Sequence, residues 1–435
     1  MKNYQKTALD TPDALGLAVP EQVTVAMAEI TADMREGLLA LAVGAGLQVM
    51  AAMMDADVTA LAGPKGMHDS ERAAVRHGRA AGSVTLGGRR VLVQRPRVRA
   101  ADGSGELPVP AYELFSNTEV LGRLAMEKML AGLSTRRYGP VGLEPVGAQV
   151  SATARSTSKS AVSRRFVTST ETALKDLLSA DLSTLDLVAF MVDGVHFAET
   201  CCVVALGITI EGTKVPLALV EGSTENTTLV TELIVGLRER GMDVTRPILA
   251  CLDGGKALHR AVADVFDKPV FQRCQLHKVR NVRDKLPLRL RPGVERRMRA
   301  AYHADCALEA EALLNALARE LDKTHPSAAA SLREGLAETL TVLRLGVPPT
   351  LARTLRSTNA IESMIGICRQ RSGNVKRWRD GQMALRWCAA GMIEAGKQFR
   401  RVNGHLHLAS LRAALEAEFT ETVAPTCHDD LMNVA

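Results

Sequence analysis

The stretch LDLVAFMVDG, residues 185–194, is an apolar run that ends in an aspartate and a glycine, and PILACLDGG, residues 247–255, repeats the pattern. Continuous apolar runs of this length predict strands buried on both faces. If the two strands are neighbours with aligned ends, Asp193 and Asp253 lie a few ångströms apart. Like charges at ~4 Å repel by about 4 kcal/mol at an effective dielectric of 20. A divalent cation removes that repulsion, and ligands that are all oxygens favour Mg²⁺, or Mn²⁺, over zinc.

The elements around these two strands predict the fold class. TCCVVALGITI and KVPLALVEG follow the first strand as an antiparallel meander, with Gly212 at the second turn. A helix near 226–241 precedes the second Asp-Gly strand, and another helix leads to a short strand, PVFQ, at 269–272. The order β-β-β-α-β-α-β is that of a ribonuclease H-like core, in which strands one and four lie side by side. We therefore predict a mixed α/β protein.

A third carboxylate comes from STNAIES, residues 357–363. Asn359 and Glu362 have the spacing of a capping box, which predicts a helix start and gives Glu362 a structural role. The same glutamate could complete an Asp-Asp-Glu set suited to two-metal phosphoryl transfer. Between the sheet and this motif, residues 288–350 are rich in Ala, Leu and Arg and predict helices only.

The charge of the chain favours a polyanionic partner. The 435 residues carry a net charge of +6, and the length predicts two to four domains. Eight arginines and no acid lie between Arg72 and Arg99, where two strands joined at Gly87-Gly88 are predicted. A solvated basic hairpin is the alternative to phosphate contact. The predicted DNA contacts in this hairpin are Arg89, Arg90, Arg95, Arg97 and Arg99.

Helices near 118–131, 134–138 and 156–166 have the spacing of a helix-turn-helix, and an ordinary surface helix is the alternative for the last of them. Ser158 is placed to cap that helix. Further along, the tryptophan of KRWR is as well suited to stacking on a base as to packing, whereas the tryptophan of LRWC, Trp387, is predicted to be core. The predicted DNA contacts in these segments are Lys159, Ser160, Ser163, Arg164, Arg165, Lys376, Arg377, Trp378 and Arg379.

Cys274 and His277 lie one helical turn apart in QRCQLHKVRNV, residues 272–282. They are half of a zinc site, and no second ligand pair is visible, so we interpret Cys274 as a buried thiol. His277 is assigned a structural or DNA-positioning role, and Lys278 and Arg280 are predicted DNA contacts with it.

Residues 20–62 predict a long helix that ends at Gly63-Pro64. Its apolar stretch, residues 37–54, is at the lower length limit for a membrane span and is only weakly hydrophobic, so a buried helix is favoured. The eight cysteines contain no CxxC pair and follow no secretory leader, which predicts free thiols in a bacterial cytoplasm, at the nucleoid when DNA is bound.

The ordered motifs ALGI, DGGKAL, QRCQLHKVRNV and STNAIES resemble the Mutator-type transposases of bacterial insertion sequences, over roughly residues 20–400. The resemblance implies a DDE transposase with Asp193, Asp253 and Glu362 as catalytic acids and metal ligands, two Mg²⁺ per site, and a ribonuclease H-like core interrupted by a helical insertion. It also implies binding to terminal inverted repeats and target DNA as a homodimer or larger oligomer. Relatives often carry a basic residue soon after the first Asp-Gly, which this chain lacks at residues 195–199.

We therefore predict a DNA transposase that cleaves and joins strands. A catalytically inactive repeat-end binding protein and a structure-specific nuclease of the same fold are the alternatives. The predicted domains are an N-terminal helical region (1–70), a basic hairpin with a helix-turn-helix (71–180), the first part of the core (181–287), a helical insertion (288–352), the second part of the core (353–420) and a tail (421–435).

Overall fold

The computed structural model describes residues 21–420 except 68, 70, 144, 145, 147, 223 and 225; side chains are also left out at 21–33, 35, 36, 39, 40, 148 and 149. The predicted tail, 421–435, lies outside the described residues, as do residues 1–20 of the predicted N-terminal region. Two compact units make up the rest. One contains the residues up to Ala125 together with Thr135–Ser163, and the other contains Met126–Ser134 and the residues from Arg164 onward.

The N-terminal part of the chain consists of helices and one antiparallel sheet. The prediction of a basic hairpin is confirmed: its two strands turn at Gly87 and Gly88, which both have positive φ, and a third short strand pairs with the second. The elements in order are α1 (Glu21–Ala62), β1 (Ala74–Leu86), β2 (Arg89–Ala100), β3 (Glu106–Leu107), α2 (Pro110–Ser116), α3 (Glu119–Leu130), α4 (Tyr138–Gly142), α5 (Ala148–Thr153) and α6 (Lys159–Ser179).

The extent of helix α1 was predicted correctly, but the helix is less buried than predicted. Met54, Val58 and Ala62 pack into the small core that this unit forms with its sheet. The most apolar 18-residue window of the segment Leu41–Ala62 has a mean hydropathy of 1.3, but only 11% of that window is buried. By length and composition this is the one helix among the described residues that could cross a membrane, which is weak evidence for a span.

The second unit contains the larger sheet and two groups of helices. Its elements are β4 (Leu187–Phe197), β5 (Thr200–Thr209), β6 (Lys214–Gly222), α7 (Thr227–Glu239), β7 (Ile248–Leu252), α8 (Lys256–Val265), β8 (Pro269–Arg273), α9 (Gln275–Arg283), α10 (Arg291–Ala301), α11 (Ala307–Asp322), α12 (Pro326–Arg333), α13 (Leu336–Thr339), α14 (Thr341–Arg344), α15 (Pro349–Leu355), α16 (Asn359–Arg371), α17 (Gly381–Gln398), a 3₁₀ turn (His405–His407) and α18 (Leu408–Thr420).

The sheet has the order β6-β5-β4-β7-β8. Strands β4, β5 and β6 form an antiparallel meander, and β7 and β8 run parallel to β4. The two Asp-Gly strands are therefore neighbours, as the sequence predicts. The sheet is covered on both faces, which explains why their sequences are continuously apolar. Phe190 and Val192 pack with α7 and α8, and Met191 packs with α16 and α17.

The prediction of helices alone in residues 288–350 is also confirmed. Helices α9 to α14 share a hydrophobic core of their own, which includes Val282, Met298, Leu314 and Leu332. The segment is tied to the sheet by polar contacts: the Gln272 side chain, at the end of β8, donates to Thr339 O and accepts from Val342 N. The C-terminal part of the segment is thereby held against β8, the edge strand of the sheet.

Helix α18 is anchored to the start of the sheet by one buried side chain. The Arg412 guanidinium donates to Leu187 O at 2.7 Å and to Pro247 O at 3.2 Å. Leu187 begins β4, and Pro247 directly precedes β7. One arginine of the last helix therefore holds together the two strands that lead to Asp193 and Asp253.

Gly254 is expected to be intolerant of a side chain. Its φ is +103°, and a Cβ would lie 2.1 Å from Nε of the buried Arg273. We expect Gly254→Ala to cost about 1–3 kcal/mol of stability and to lower the midpoint of thermal unfolding. The control is Gly236→Ala in α7, where a Cβ meets nothing within 4 Å and the exchange should stabilise by about 0.5–1 kcal/mol. Equal midpoints for the two variants would contradict this account.

Candidate active site

Asp193 and Asp253 lie at the same end of the sheet and on the same face. The parallel register pairs Met191 with Cys251, so each aspartate is two residues beyond a paired position. Alternate residues of a strand point to one face, and Met191 and Cys251 pack on the side of α16 and α17. The two half-buried carboxylates therefore belong to that side as well.

A neighbouring backbone amide fixes each aspartate. Asp193 lies within β4, which continues to Phe197 and does not end at Asp-Gly as predicted, whereas Asp253 lies in the loop after β7. An Asp193 carboxylate oxygen accepts from Gly194 N at 2.8 Å, and one of Asp253 accepts from Gly255 N at the same distance. Each contact occupies one of the two oxygens that a carboxylate offers. The bonds orient the two carboxylates.

Glu362 lies in the first turn of α16, which packs against β4. Its Oε1 accepts a hydrogen bond of 2.6 Å from the hydroxyl of Thr358, four residues earlier. Thr358 is fully buried, and its backbone carbonyl accepts from Glu362 N at 3.0 Å. Glu362 is thus held at its side chain and its backbone by one residue.

The predicted capping box is wrong. Helix α16 starts at Asn359, so Thr358 occupies the N-cap position, and it makes no side-chain capping bond. Its φ of −81° and ψ of 13° are not the extended conformation in which a capping side chain folds back onto the first turn. The hydroxyl instead points to Glu362, so the residues at this helix start orient a carboxylate.

Cys274 and His277 surround the same hydroxyl. Thr358 Oγ1 lies 3.4 Å from Cys274 Sγ and 3.4 Å from His277 Nδ1, and His277 Nδ1 lies 3.8 Å from Glu362 Oε1. One ligand atom from each of Cys274, His277 and Glu362 falls within 4.8 Å of the others, a spacing that could hold a metal ion. The Thr358 hydroxyl contacts all three, so we interpret the group as a hydrogen-bonded cluster. The sequence analysis missed Thr358; its position four residues before Glu362 on a helix was the available signal.

The cluster shifts the acidities of its members. The hydrogen bond to Cys274 is the largest influence that raises the pKa of His277, the negative charges of Cys274, Glu362 and Asp253 raise it further, and burial opposes them. For Cys274, burial acts to raise the pKa, but the hydrogen bonds with His277 and Thr358 outweigh it and lower the pKa. Glu362 thus lies beside the His277 imidazole, and the charge of Asp253 acts on the same group.

Oxygen donors of this kind fit Mg²⁺. Asp193 lies in β4 and Asp253 directly follows β7, its parallel neighbour, and strands in a sheet are about 4.8 Å apart. Carboxylates this close need a compensating positive charge. Hard carboxylate oxygens prefer Mg²⁺ or Mn²⁺, whereas the thiol and imidazole of the neighbouring cluster would suit zinc.

Lys278, a predicted DNA contact, is not available for that role. Its side chain is 1% exposed, and its ammonium group donates to Ser331 O and Glu334 O. Lys278 lies on the same turn of α9 as His277, but its side chain is on the buried face of that helix. Arg280 is exposed, as a DNA contact would be, and His277 is half-buried.

The buried Lys278 predicts a dependence of stability on pH. Burial, with a smaller contribution from the charge of Arg273, lowers its pKa from 10.5 to about 8. Between these values the unfolded chain binds a proton that the folded chain does not, so the free energy of unfolding rises with pH. We expect the wild type to gain about 2 kcal/mol relative to Lys278→Met between pH 8 and pH 10. Denaturant unfolding at several pH values measures this, and parallel curves for the two proteins would contradict it.

The other predicted DNA contacts differ in their surroundings. Arg89 is 8% exposed, and its guanidinium donates to Gly87 O, so as a surface contact it was predicted wrongly. The guanidinium of Arg90 donates hydrogen bonds to the Ser83 hydroxyl and to Ser116 O. Although no acid lies between Arg72 and Arg99 in the sequence, Arg95 and Arg97 both pair with Glu106. The remaining exposed candidates are Arg99, Lys159, Ser160, Ser163, Arg164, Lys376, Arg377 and Arg379, and Arg165 is half-buried.

The capping role of Ser158 is supported, since its hydroxyl accepts from Ala161 N at 3.3 Å. Trp387 is 4% exposed, which confirms the core prediction. Trp378 is half-buried, with its ring centroid 4.9 Å from that of Phe197 and 6.5 Å from that of Trp387. Intramolecular packing therefore occupies much of its ring, and stacking on a base stays a prediction.

Comparison with known proteins identifies the family. The model of the family "Transposase, Mutator family" matches residues 22–402. The transposase for insertion sequence element IS6120 of Mycolicibacterium smegmatis is 29% identical over 239 residues, 54% of this chain and 73% of that protein. The transposase for insertion sequence element ISRM5 of Rhizobium meliloti (strain 1021) is 25% identical over 370 residues, 84% of this chain and 90% of that protein. The chain belongs to the Mutator family of transposases.

Proposed function

We propose that the protein is the transposase of a bacterial insertion sequence and that Asp193, Asp253 and Glu362 are its catalytic acids. The observation that carries the proposal is their placement. Asp193 within β4 and Asp253 directly after the parallel neighbour β7 lie on one face of the sheet, and the helix with Glu362 packs on that face. The strand order, with the first and fourth strands adjacent, supports a ribonuclease H-like core.

The side chains have separable roles in this proposal. Asp193, Asp253 and Glu362 would hold the two Mg²⁺, and Thr358 keeps the Glu362 carboxylate oriented. Bound cations would supply Lewis-acid activation of the attacking oxygen and charge neutralisation at the leaving oxygen. His277, whose pKa is raised chiefly by its hydrogen bond to Cys274, lies 3.8 Å from Glu362 and is placed to donate a hydrogen bond to a phosphate oxygen. Water and then the freed 3′ hydroxyl are the successive nucleophiles.

DNA binding is assigned to the exposed basic and hydroxyl side chains. Lys159, Ser160, Ser163 and Arg164 lie together in the first two turns of α6, where a recognition helix presents its donors. We propose that they bind the terminal inverted repeats, and that Lys376, Arg377 and Arg379 contact target or flanking DNA. Cleavage of two ends in one complex requires at least a homodimer.

The test combines purified protein and Mg²⁺ with DNA that carries the two end sequences that flank the gene. We expect 3′ hydroxyl ends and joined products, and neither when EDTA replaces Mg²⁺. Binding without cleavage would support a catalytically inactive repeat-end binding protein. Cleavage without joining would support a nuclease, and either result would overturn the proposal.

A further inference from the structure

A basic cavity of about 230 Å³ lies in the second unit, between the helical segment and the start of α16. Arg299, His303, Arg353 and Arg356 supply its charged and titratable groups, and Ser357 and Asn359 add polar ones. No aspartate or glutamate among the described residues lines it. Its size and polarity are those of a site for an anion with several oxygens.

The positive charge of Arg356 is held in place without being neutralised. His303 Nδ1 lies 2.7 Å from the carbonyl oxygen of Arg299, so Nδ1 carries the ring proton. The other ring nitrogen, Nε2, then accepts from Arg356 Nη1 at 3.0 Å. A neutral imidazole therefore orients the guanidinium of Arg356, whereas Arg299, which lines the same cavity, pairs with Glu295 at 3.4 Å.

A second guanidinium adds to the unneutralised charge. Arg353 is exposed, and the described residues place no carboxylate within ion-pair distance of it or of Arg356. Burial and the charge of Arg353 lower the pKa of Arg356, as expected when two cations share a cavity. Two nearby guanidinium groups with no carboxylate repel each other unless an anion binds between them.

The cavity is adjacent to the proposed active site. Asn359 lines it, and Glu362 is three residues further along the same helix, a spacing that places side chains about 5–6 Å apart. Ser357, which also lines it, directly precedes Thr358. A DNA strand that passes the carboxylates would bring a neighbouring phosphate within reach of the arginines.

We propose that Arg353 and Arg356 bind a backbone phosphate of the DNA strand close to the scissile phosphate. The proposal deepens the transposase function and rests on it for the identity of the strand. The assignment itself is to a phosphodiester, and sequence-independent contact to it would fix the strand in register with the carboxylates.

The test measures binding of a fluorescent DNA duplex of mixed sequence across a salt series, with EDTA present so that no strand is cut. We expect Arg356→Gln and Arg353→Gln each to weaken binding on the order of tenfold and to reduce the salt slope by about 1. The matched control is Arg297→Gln, which removes an arginine already neutralised by Glu320 and should bind as the wild type does. Arg353 is exposed, so its exchange should not disturb folding.

Two further measurements locate the contact. A neutral methylphosphonate moved along one strand should weaken wild-type binding at one position, and Arg356→Gln should be insensitive there. Inorganic phosphate is also added as a competitor. Displacement of the duplex by phosphate would indicate a site for free anions, and retention of the duplex would indicate a site for DNA. Wild-type affinity and slope in both arginine variants, or a wild type that binds no duplex, would overturn the proposal. If the arginine variants bind DNA normally while strand joining still needs Asp253, only the assignment of the cavity fails. If DNA binding falls as expected but no DNA is cut or joined, only the transposase mechanism fails.

Discussion

Asp253→Asn is expected to abolish DNA cleavage and joining while DNA binding is retained. The exchange keeps the size of the side chain and its acceptor for Gly255 N, but it removes the charge that would hold a cation beside Asp193. Loss of one such electrostatic group costs about 10²–10³-fold in rate, and loss of a metal ligand at least that much. Asp193→Asn and Glu362→Gln should act in the same way.

The control for this prediction is Asp264→Asn. Asp264 lies on α8, is exposed and pairs only with Arg260 at 3.7 Å, so the variant loses the same charge away from the site. Product formation on gels in Mg²⁺ and in Mn²⁺ gives the rates, and fluorescence anisotropy gives the affinity for DNA. Full joining activity in any one of the three acid variants would remove that residue from the catalytic set.

Thr358→Val is expected to lower the joining rate by about 10–100-fold, the usual range for a residue that orients a metal ligand. Valine fills the same volume, so the helix start should survive. The Glu362 carboxylate would lose its 2.6 Å hydrogen bond and become free to rotate. We therefore expect the Mg²⁺ concentration for half-maximal activity to rise, which a purely structural residue would not cause.

Thr358→Ser retains the hydroxyl and should restore most of the activity and the Mg²⁺ dependence. A thermal unfolding midpoint close to that of the wild type in both variants would separate orientation of the carboxylate from stability. If valine and serine lower the rate equally, or if the Mg²⁺ dependence of Thr358→Val is unchanged, Thr358 does not position Glu362.

The sheet could be predicted from the sequence because its signals are local and strong. Apolar runs followed by Asp-Gly, an intervening helix and the turn at Gly212 are sufficient to predict a meander with an adjacent fourth strand. The placement of Asp193 and Asp253 follows from strand alternation. These are properties of segments of about ten residues, and they depend little on the rest of the chain.

The contacts around Glu362 could not be predicted in this way. Whether a hydroxyl before a helix caps the backbone or bonds a side chain depends on what packs beside it, and here the contacts come from Cys274 and His277, far away in sequence. Lys278 was misplaced for a related reason. The spacing of residues on α9 gives their relative directions, but only the packing of α12 decides which direction is buried.

The bond network of Arg412 has a consequence for synthesis of the protein. Ribosomes release the chain from its N-terminus, so the strands that lead to Asp193 and Asp253 emerge well before Arg412, which joins them at their starts. Glu362 also emerges before Arg412. A nascent chain, or one shortened by a premature stop codon ahead of Arg412, has all three acids and lacks the clamp between their strands. The clamp between the starts of β4 and β7 therefore forms only after Arg412 has left the ribosome.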